Sequence, residues 1–339
     1  MKKGIIIIDF GSQYTQLIAR RIRETQVCCQ IHPYNKITKK LLNEANPNGI
    51  ILSGGPNSVL NKNSPKFPSI ILEYNIPILG ICYGLQLIVS FFGGQIKKTL
   101  SREYGYATLN VNKKSKLIPL EWLRKSPQVW MSHGDHVYKP PKEFNVIAKS
   151  TNKIISIIEN KKKNIYGLQF HPEVYHTFLG TKILSNFVFK ICKVEPNWFL
   201  EDFIITKTKE IKSEVKESMV VCGLSGGVDS TVTAYLLHKA IKLQLYCIFV
   251  DHGLLRKNEK NEVISFYKKK FKNNFIHVDA STSFLANLKN VTDPEKKRKI
   301  IGKTFIQVFE KEANKISNVK YLAQGTLYPD VIESISFFG

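Results

Sequence analysis

Residues able to do chemistry gather in two places along the chain. Gly80-Ile81-Cys82-Tyr83-Gly84 sets a thiol between two glycines, where the apolar run Ile76 to Ile81 meets the amphipathic stretch Leu85 to Phe92. A tight strand-to-helix turn there exposes the sulfur, favours its thiolate through the helix N-terminus, and aims the backbone N–H of Tyr83 at a developing oxyanion. The same residues also suit a small buried hydrophobe, the usual fate of a free cysteine. Further on, Tyr166 to Phe170 reads as a strand that delivers His171-Pro172-Glu173 at its carboxyl end. His171 can deprotonate the thiol and later protonate a leaving ammonia, with Glu173 fixing its tautomer. A satisfied surface histidine and a solvated acid on a prolyl turn are the plainer alternatives. Ser53-Gly54-Gly55-Pro56 offers N–H groups that could complete an oxyanion hole, although glycine turns also arise for steric reasons. The chemistry such residues could perform is attack on a carboxamide.

The second place is Ser225-Gly226-Gly227-Val228-Asp229-Ser230, which follows an apolar strand and opens a helix. Successive N–H groups and the helix dipole there face an anion. The loop lacks the Gly-Lys-Ser/Thr ending of a Walker A motif, and Asp229 puts a carboxylate beside the phosphates. Such a carboxylate is tolerable if Mg²⁺ bridges it to a nucleotide, which makes Asp229 a candidate Mg²⁺ contact. A glycine-rich turn of purely structural origin is the alternative. Taken together, the two centres suggest an enzyme that releases ammonia at one and consumes it at the other.

Positioning these residues requires parallel sheets. Gly4 to Asp9, Cys29 to His32, Gly49 to Ser53 and Ile76 to Ile81 read as strands, with Gln13 to Thr25 and Lys66 to Tyr74 as helices between them. From about Gln95 to Phe170 the pattern changes to shorter strands broken by Pro, Asn and Gly, and Thr177 to Ile191 returns to helix. Lys207 to Glu217 reads as a connecting helix. At Met219 a new series begins: strand to Leu224, helix Ser230 to Ile241, strand Leu245 to Asp251, helix Glu259 to Phe271, strand Phe275 to Asp279. The expected fold class is α/β, with two open, mostly parallel-sheet domains. The expected boundaries are 1–195 for the first domain, 196–218 for the connector and 219–339 for the second domain.

The 339 residues fit two domains, and 43% hydrophobic content can fill their cores. The net charge of +23 would suit an acidic partner, but only seven of the 50 Lys+Arg are arginine and the positive residues are scattered. Drift in the composition of solvated faces explains this better than a nucleic-acid surface. Six cysteines, at 28, 29, 82, 192, 222 and 247, show neither zinc spacing nor a disulfide framework. Ile5 to Ile8 is too short for a signal peptide or a membrane span, and no later apolar run reaches spanning length. A reducing cytoplasm, which keeps Cys82 a thiol, is the expected compartment.

Cys82, His171 and Glu173, in this order, resemble the catalytic triad of the class I glutamine amidotransferases, over residues 4 to about 192. The resemblance implies that Gly55 and Tyr83 donate to the oxyanion and that Gln86, Ser132, His133, Gly134 and Asp135 help bind glutamine. The Ser-Gly-Gly-x-Asp-Ser loop resembles that of the ATP pyrophosphatases, an adenine-nucleotide α-hydrolase-like fold. This implies ATP held by Ser225 to Ser230 with Thr231, and the adenine near Val250 at the end of the second strand. Phe10 to Gln16, Val250 to Arg256, Asp293 to Gly302 and Leu322 to Ser334 resemble the family that joins these two modules in this order. Membership implies adenylylation of xanthosine 5′-monophosphate by ATP, displacement of AMP by ammonia, and a homodimer.

His252 and His136 depart from that family, which shows Asn and Lys there. The sequence also stops at Gly339, where the family continues through the rest of the pyrophosphatase domain and a dimerisation domain. The resulting expectation is a chain that hydrolyses glutamine, binds ATP weakly and forms little GMP. Alternatives are another acceptor for the ammonia, as in NAD⁺ or carbamoyl-phosphate synthesis, or a tRNA-acting or nucleic-acid-binding relative.

Overall fold

Apolar runs that bury both faces belong at the centre of a parallel sheet, and the chain is built on two such sheets. The computed structural model describes residues 3–326, and at 99–103, inside a strand, the backbone alone. The chain divides between Phe199 and Leu200 into two compact units.

The first unit contains, in order, β1 (Ile5–Asp9), α1 (Thr15–Glu24), β2 (Cys29–Pro33), α2 (Lys39–Ala45), β3 (Gly49–Leu52), β4 (Ile78–Ile81), α3 (Tyr83–Phe91), β5 (Gln95–Val111), β6 (Gln128–Lys139), β7 (Asn145–Ser150), β8 (Ile155–Asn160), β9 (Ile165–Leu168) and α4 (Gly180–Asn186). Its sheet has the order β2-β1-β3-β4-β9-β8-β7-β5-β6. From β2 to β9 the neighbours are parallel. Beyond β9 they are antiparallel. Strand alternation divides the core between two faces. Ile5, Ile7, Ile51 and Leu79 pack with Ile18 and Ile22 of α1 and Ile183 and Leu184 of α4. Ile6, Ile8, Ile50 and Leu52 pack with Leu42 of α2 and Leu85 and Ile88 of α3.

The antiparallel half follows from the short loops at 151–154 and 161–164, which can join only antiparallel neighbours. Its strands β5 and β6, expected to be short, run for 17 and 12 residues. The helix expected over Lys66 to Tyr74 shrinks to a 3₁₀ stretch, Ser69–Tyr74. Pro65 precedes the run and Pro68 interrupts it, and helix is disfavoured for a residue that precedes proline. The stretch Thr177 to Ile191 becomes α4 followed by one π-helical turn, Phe187–Ile191.

The second unit contains α5 (Leu200–Val215), β10 (Met219–Leu224), α6 (Val228–Ile241), β11 (Leu245–Asp251), α7 (Glu259–Phe271), β12 (Phe275–Asp279), α8 (Ser281–Leu288), α9 (Pro294–Ala313) and β13 (Val319–Ala323). The sheet order is β12-β11-β10-β13, all parallel. Helix α5, read from sequence as a connector, puts Ile211 and Val215 into the core formed with Ala234 and Leu237 of α6. Asp293 to Gly302 forms the start of α9. The Asp293 side chain accepts from Lys296 N at 2.8 Å, proline occupies the first turn, and Glu295 pairs with Arg298 at 2.7 Å across a solvated face. The motif residues Leu327 to Ser334, and the end at Gly339, lie outside the described residues. Among those described, no helix is long and apolar enough to cross a membrane.

Candidate active site

Three neighbouring parallel strands converge on Cys82. In register, Leu52 of β3 faces Gly80 of β4, and Ile81 of β4 faces Leu168 of β9. The segments leaving their carboxyl ends are therefore brought together: Ser53 to Gly55 after β3, Cys82 after β4, and Gln169 to Glu173 after β9. An open α/β sheet binds its ligands at this edge.

Cys82 has φ 50° and ψ −102°, a strained conformation for a residue with a side chain, costing about 1–3 kcal/mol. Main-chain bonds hold it there: Cys82 N donates to Leu168 O at 2.7 Å and Gly84 N to Ser53 O at 3.1 Å. Between them Tyr83 N–H lies in the first turn of α3, where no intrahelical acceptor exists. The flanking glycines are required by close approach. A Cβ on Gly84 would lie 2.4 Å from Leu52 O, and one on Gly80 would lie 2.5 Å from the Gly84 carbonyl carbon. Gly84→Ala is accordingly expected to cost about 2 kcal/mol or more, measurable as a lower melting temperature of the first unit, together with loss of thiol reactivity at Cys82.

His171 is buried and near enough to Cys82 for the sulfur to act on its proton. Its Nδ1 lies 2.7 Å from Glu173 Oε1, and Glu173 is also buried. Burial opposes charge on the ring. The Glu173 carboxylate and the contact with Cys82 outweigh it, holding the histidine proton well above its usual range. Glu173 Oε2 is enclosed with no hydrogen-bond partner, so His171 is the carboxylate's principal contact. The loop is fixed from outside. Thr177 donates its hydroxyl to His171 O at 2.6 Å and accepts from Trp130 N at 3.1 Å, while Arg21 Nε donates to Glu173 O at 3.0 Å. The Tyr14 ring meets the imidazole edge-on, with centroids 5.0 Å apart.

The sulfur opens onto a cavity of about 420 Å³ whose wall includes Gly55, Tyr83, Gln86, Ser132, His133, Gly134 and Asp135. Every residue expected to bind glutamine or its oxyanion is thus gathered at one cavity, while His171 and Glu173 are not part of its wall. Gln86 Nε2 donates to Asp135 O at 2.9 Å, and Cys82 Sγ lies 3.6 Å from Ser132 O. Gly55 is also a close-contact position, since a Cβ there would lie 2.8 Å from Phe10 O.

In the second unit, Ser225 to Ser230 leaves β10 and enters α6. Gly226 has φ +83°, and a Cβ there would also meet Val263 at 2.8 Å. The loop is braced internally. Gly227 N donates to Ser225 Oγ at 3.3 Å, Ser230 Oγ to Gly227 O at 3.0 Å and Thr231 Oγ1 to Gly227 O at 2.7 Å. Thr231 also meets the Tyr267 hydroxyl. With serine and threonine turned inward, the first-turn N–H groups of α6 remain for an anion. Asp229 is exposed at this turn. Val250, expected beside an adenine, has its side chain buried with Val221, Ile248 and Phe284, so it offers only main chain. Neighbouring Asp251 accepts from Gly253 N at 2.9 Å and pairs with Lys260 at 2.6 Å, and Lys260 also reaches Asp279 at 2.9 Å. A Cβ on Gly325 would come within 2.8 Å of Asp229 C and Ser230 N. Gly325→Ala is expected to displace the loop and lower the melting temperature of the second unit, as read by thermal denaturation.

A model of the glutamine amidotransferase class-I family matches residues 6–191, more than half of the chain. The chain belongs to the class-I glutamine amidotransferases. A model of NAD synthase matches residues 200–304. Among curated relatives, the GMP synthase [glutamine-hydrolyzing] of Clostridium kluyveri is 51% identical over 97% of this chain and 64% of its own length. The proteins of the same name from Clostridium tetani and Brachyspira hyodysenteriae are also 51% identical, over 98% and 99% of this chain and 65% of their own lengths. The chain spans just under two thirds of these relatives' length.

Lys98 and Tyr104 of β5 also line the amidotransferase cavity, as do Asn57 and Ser58. Sequence reasoning missed these four. The β5–β6 pairing sets Tyr104 against Ser132 and Lys98 against Asp135, a juxtaposition with no local signature. For Asn57 and Ser58 a signal existed, since both directly follow the glycine turn that ends in Pro56.

Proposed function

We propose that the chain serves the two half-reactions of a glutamine-hydrolysing GMP synthase. The carrying observation is a thiol on a strained elbow, beside a buried imidazole–carboxylate pair and open to a cavity large enough to admit glutamine. Glutamine lies in that cavity, near Gln86 and the 132–135 strand. Cys82, its proton taken by His171, adds to the γ-carbonyl carbon. The oxyanion is held by N–H groups of Tyr83 and Gly55. His171 returns the proton to the departing nitrogen, the C–N bond breaks, and a γ-glutamyl thioester and ammonia result. Water, deprotonated by His171, then opens the thioester to glutamate and frees the thiol.

The ammonia is used by the second unit. ATP is held by Ser225 to Ser230 with Thr231, its phosphates on the α6 N-terminus. The C2 oxygen of xanthosine 5′-monophosphate attacks the α-phosphorus, pyrophosphate leaves, and ammonia displaces AMP to give GMP. No group of three or more potential metal ligands occurs among the described residues, and a single exposed Asp229 suits an ion held chiefly by substrate phosphates and water. Mg²⁺ bound there would neutralise phosphate charge. The names of the relatives support this acceptor. The proposed setting is the cytoplasm and the proposed assembly a homodimer.

Ammonia release from glutamine tests the first half. A chain that releases none while keeping its fold would overturn it. The acceptor is tested by the compound that supports conversion of ATP to AMP. In a version extended to the relatives' full length, xanthosine 5′-monophosphate is expected to do so, and conversion with nicotinate adenine dinucleotide in its place would overturn the GMP reading.

A further inference from the structure

We propose that Gln169 is a further catalytic residue, an N–H donor that stabilises the Cys82 sulfur as an anion. The inference rests on the reading of Cys82 as nucleophile and deepens it.

Gln169 is wholly buried, one residue beyond β9. The pairing of Ile81 with Leu168 makes it the cross-strand neighbour of Cys82, so its approach to the sulfur follows from sheet register. Side chains alternate across this segment. Phe170 turns into the core against Trp122, with ring centroids 5.9 Å apart, whereas Gln169 and His171 both reach the sulfur. Gln169 Nε2 lies 3.9 Å from Cys82 Sγ, within reach of an N–H···S bond, and its Oε1 is enclosed with no partner. A buried primary amide is costly to leave half-satisfied, so its placement against the sulfur calls for a compensating gain.

That gain arises when the sulfur is charged. Sulfur in a thiol or thioester is a weak acceptor, whereas a thiolate makes a charge-assisted bond. The amide therefore favours the thiolate over the states on either side of it, and eases expulsion of sulfur when the thioester is hydrolysed. His171 gains and loses a proton during the cycle, while Gln169 transfers none. The other titratable groups facing the cavity are Tyr83, Lys98, Tyr104, His133 and Asp135, with Glu173 behind His171.

The test is the rate of iodoacetamide alkylation at Cys82 across pH, followed by peptide mass spectrometry with partly exposed Cys28 as internal standard. In the unaltered chain Cys82 is expected to react faster than Cys28 at neutral pH. Failure of that comparison would overturn the nucleophile reading itself. Gln169→Met removes the donor at similar volume and is expected to slow Cys82 about three- to tenfold at neutral pH and to move its profile upward. Gln169→Glu, which sets a carboxylate against the sulfur, is expected to slow it further. A reactive Cys82 with a profile unchanged in Gln169→Met overturns the role of Gln169 alone. Should the variants fail to fold, the unaltered chain supplies the reading: the side-chain amide proton resonances of Gln169 are expected to shift on alkylation of Cys82, and unmoved resonances would refute the contact.

Discussion

Cys82→Ala is expected to lower ammonia release from glutamine by about 10⁴-fold or more, without disturbing the sheet beneath it. In the proposed mechanism the sulfur is the group that forms the thioester, a role that neither His171 nor the proposed oxyanion donors can take over. Because the Cys82 conformation is held by main-chain bonds to Leu168 and Ser53, and alanine tolerates it no worse than cysteine, the variant is expected to melt close to the unaltered chain. The cavity wall stays in place, so glutamine is still expected to bind, as calorimetry can check. An alanine variant that keeps more than a small fraction of the activity would remove the covalent mechanism.

The second large effect is expected from Glu173→Gln, a loss of roughly 10³- to 10⁴-fold in glutaminase rate. The carboxylate meets His171 at 2.7 Å in a buried site. It is the first among the influences that hold the histidine proton against burial. With glutamine there, only the contact with Cys82 opposes burial, and His171 gives up its proton at lower pH. The basic limb of the pH–rate profile is therefore expected to move downward. Stability carries a matching sign. A histidine whose folded affinity for a proton is raised contributes stability that is complete below its unfolded pKa, near 6.5, and is lost as pH rises through the folded value. The stability difference between the unaltered chain and Glu173→Gln is thus expected to be larger at pH 6 than at pH 9, as denaturant titrations at the two values would read. A difference that grows with pH would contradict the assigned partnership.

Much of this architecture was legible because it is periodic or punctuated. Ile5 to Ile8 reads as a buried strand, and Leu245–Asp251, Glu259–Phe271 and Phe275–Asp279 appear at the bounds that their apolar patterns predict. Glycines at 80 and 84 mark the elbow, and the order of Cys82 and His171-Pro172-Glu173 is legible without coordinates. What sequence hides is pairing at a distance. Nothing local says that β9 returns to lie beside β4, which puts Gln169 against Cys82, or that Tyr104 of β5 faces Ser132. Two other features left traces that went unread. Asp293-Pro294-Glu295 is a helix start by its cap, its proline and its acid, and it opens the 20-residue helix α9. Pro65 and Pro68 forecast the loss of regular helix before Ser69.

The central claim is that Cys82, alone among six cysteines, forms a covalent γ-glutamyl intermediate with the help of His171. A glutamine analogue bearing an electrophile in place of its amide nitrogen, followed by peptide mass spectrometry, tests it most directly. The predicted result is one adduct per chain, on the peptide containing Cys82, blocked by excess glutamine and much slowed in His171→Ala. Labelling at Cys28 or another cysteine with Cys82 untouched, or labelling indifferent to glutamine, would contradict it.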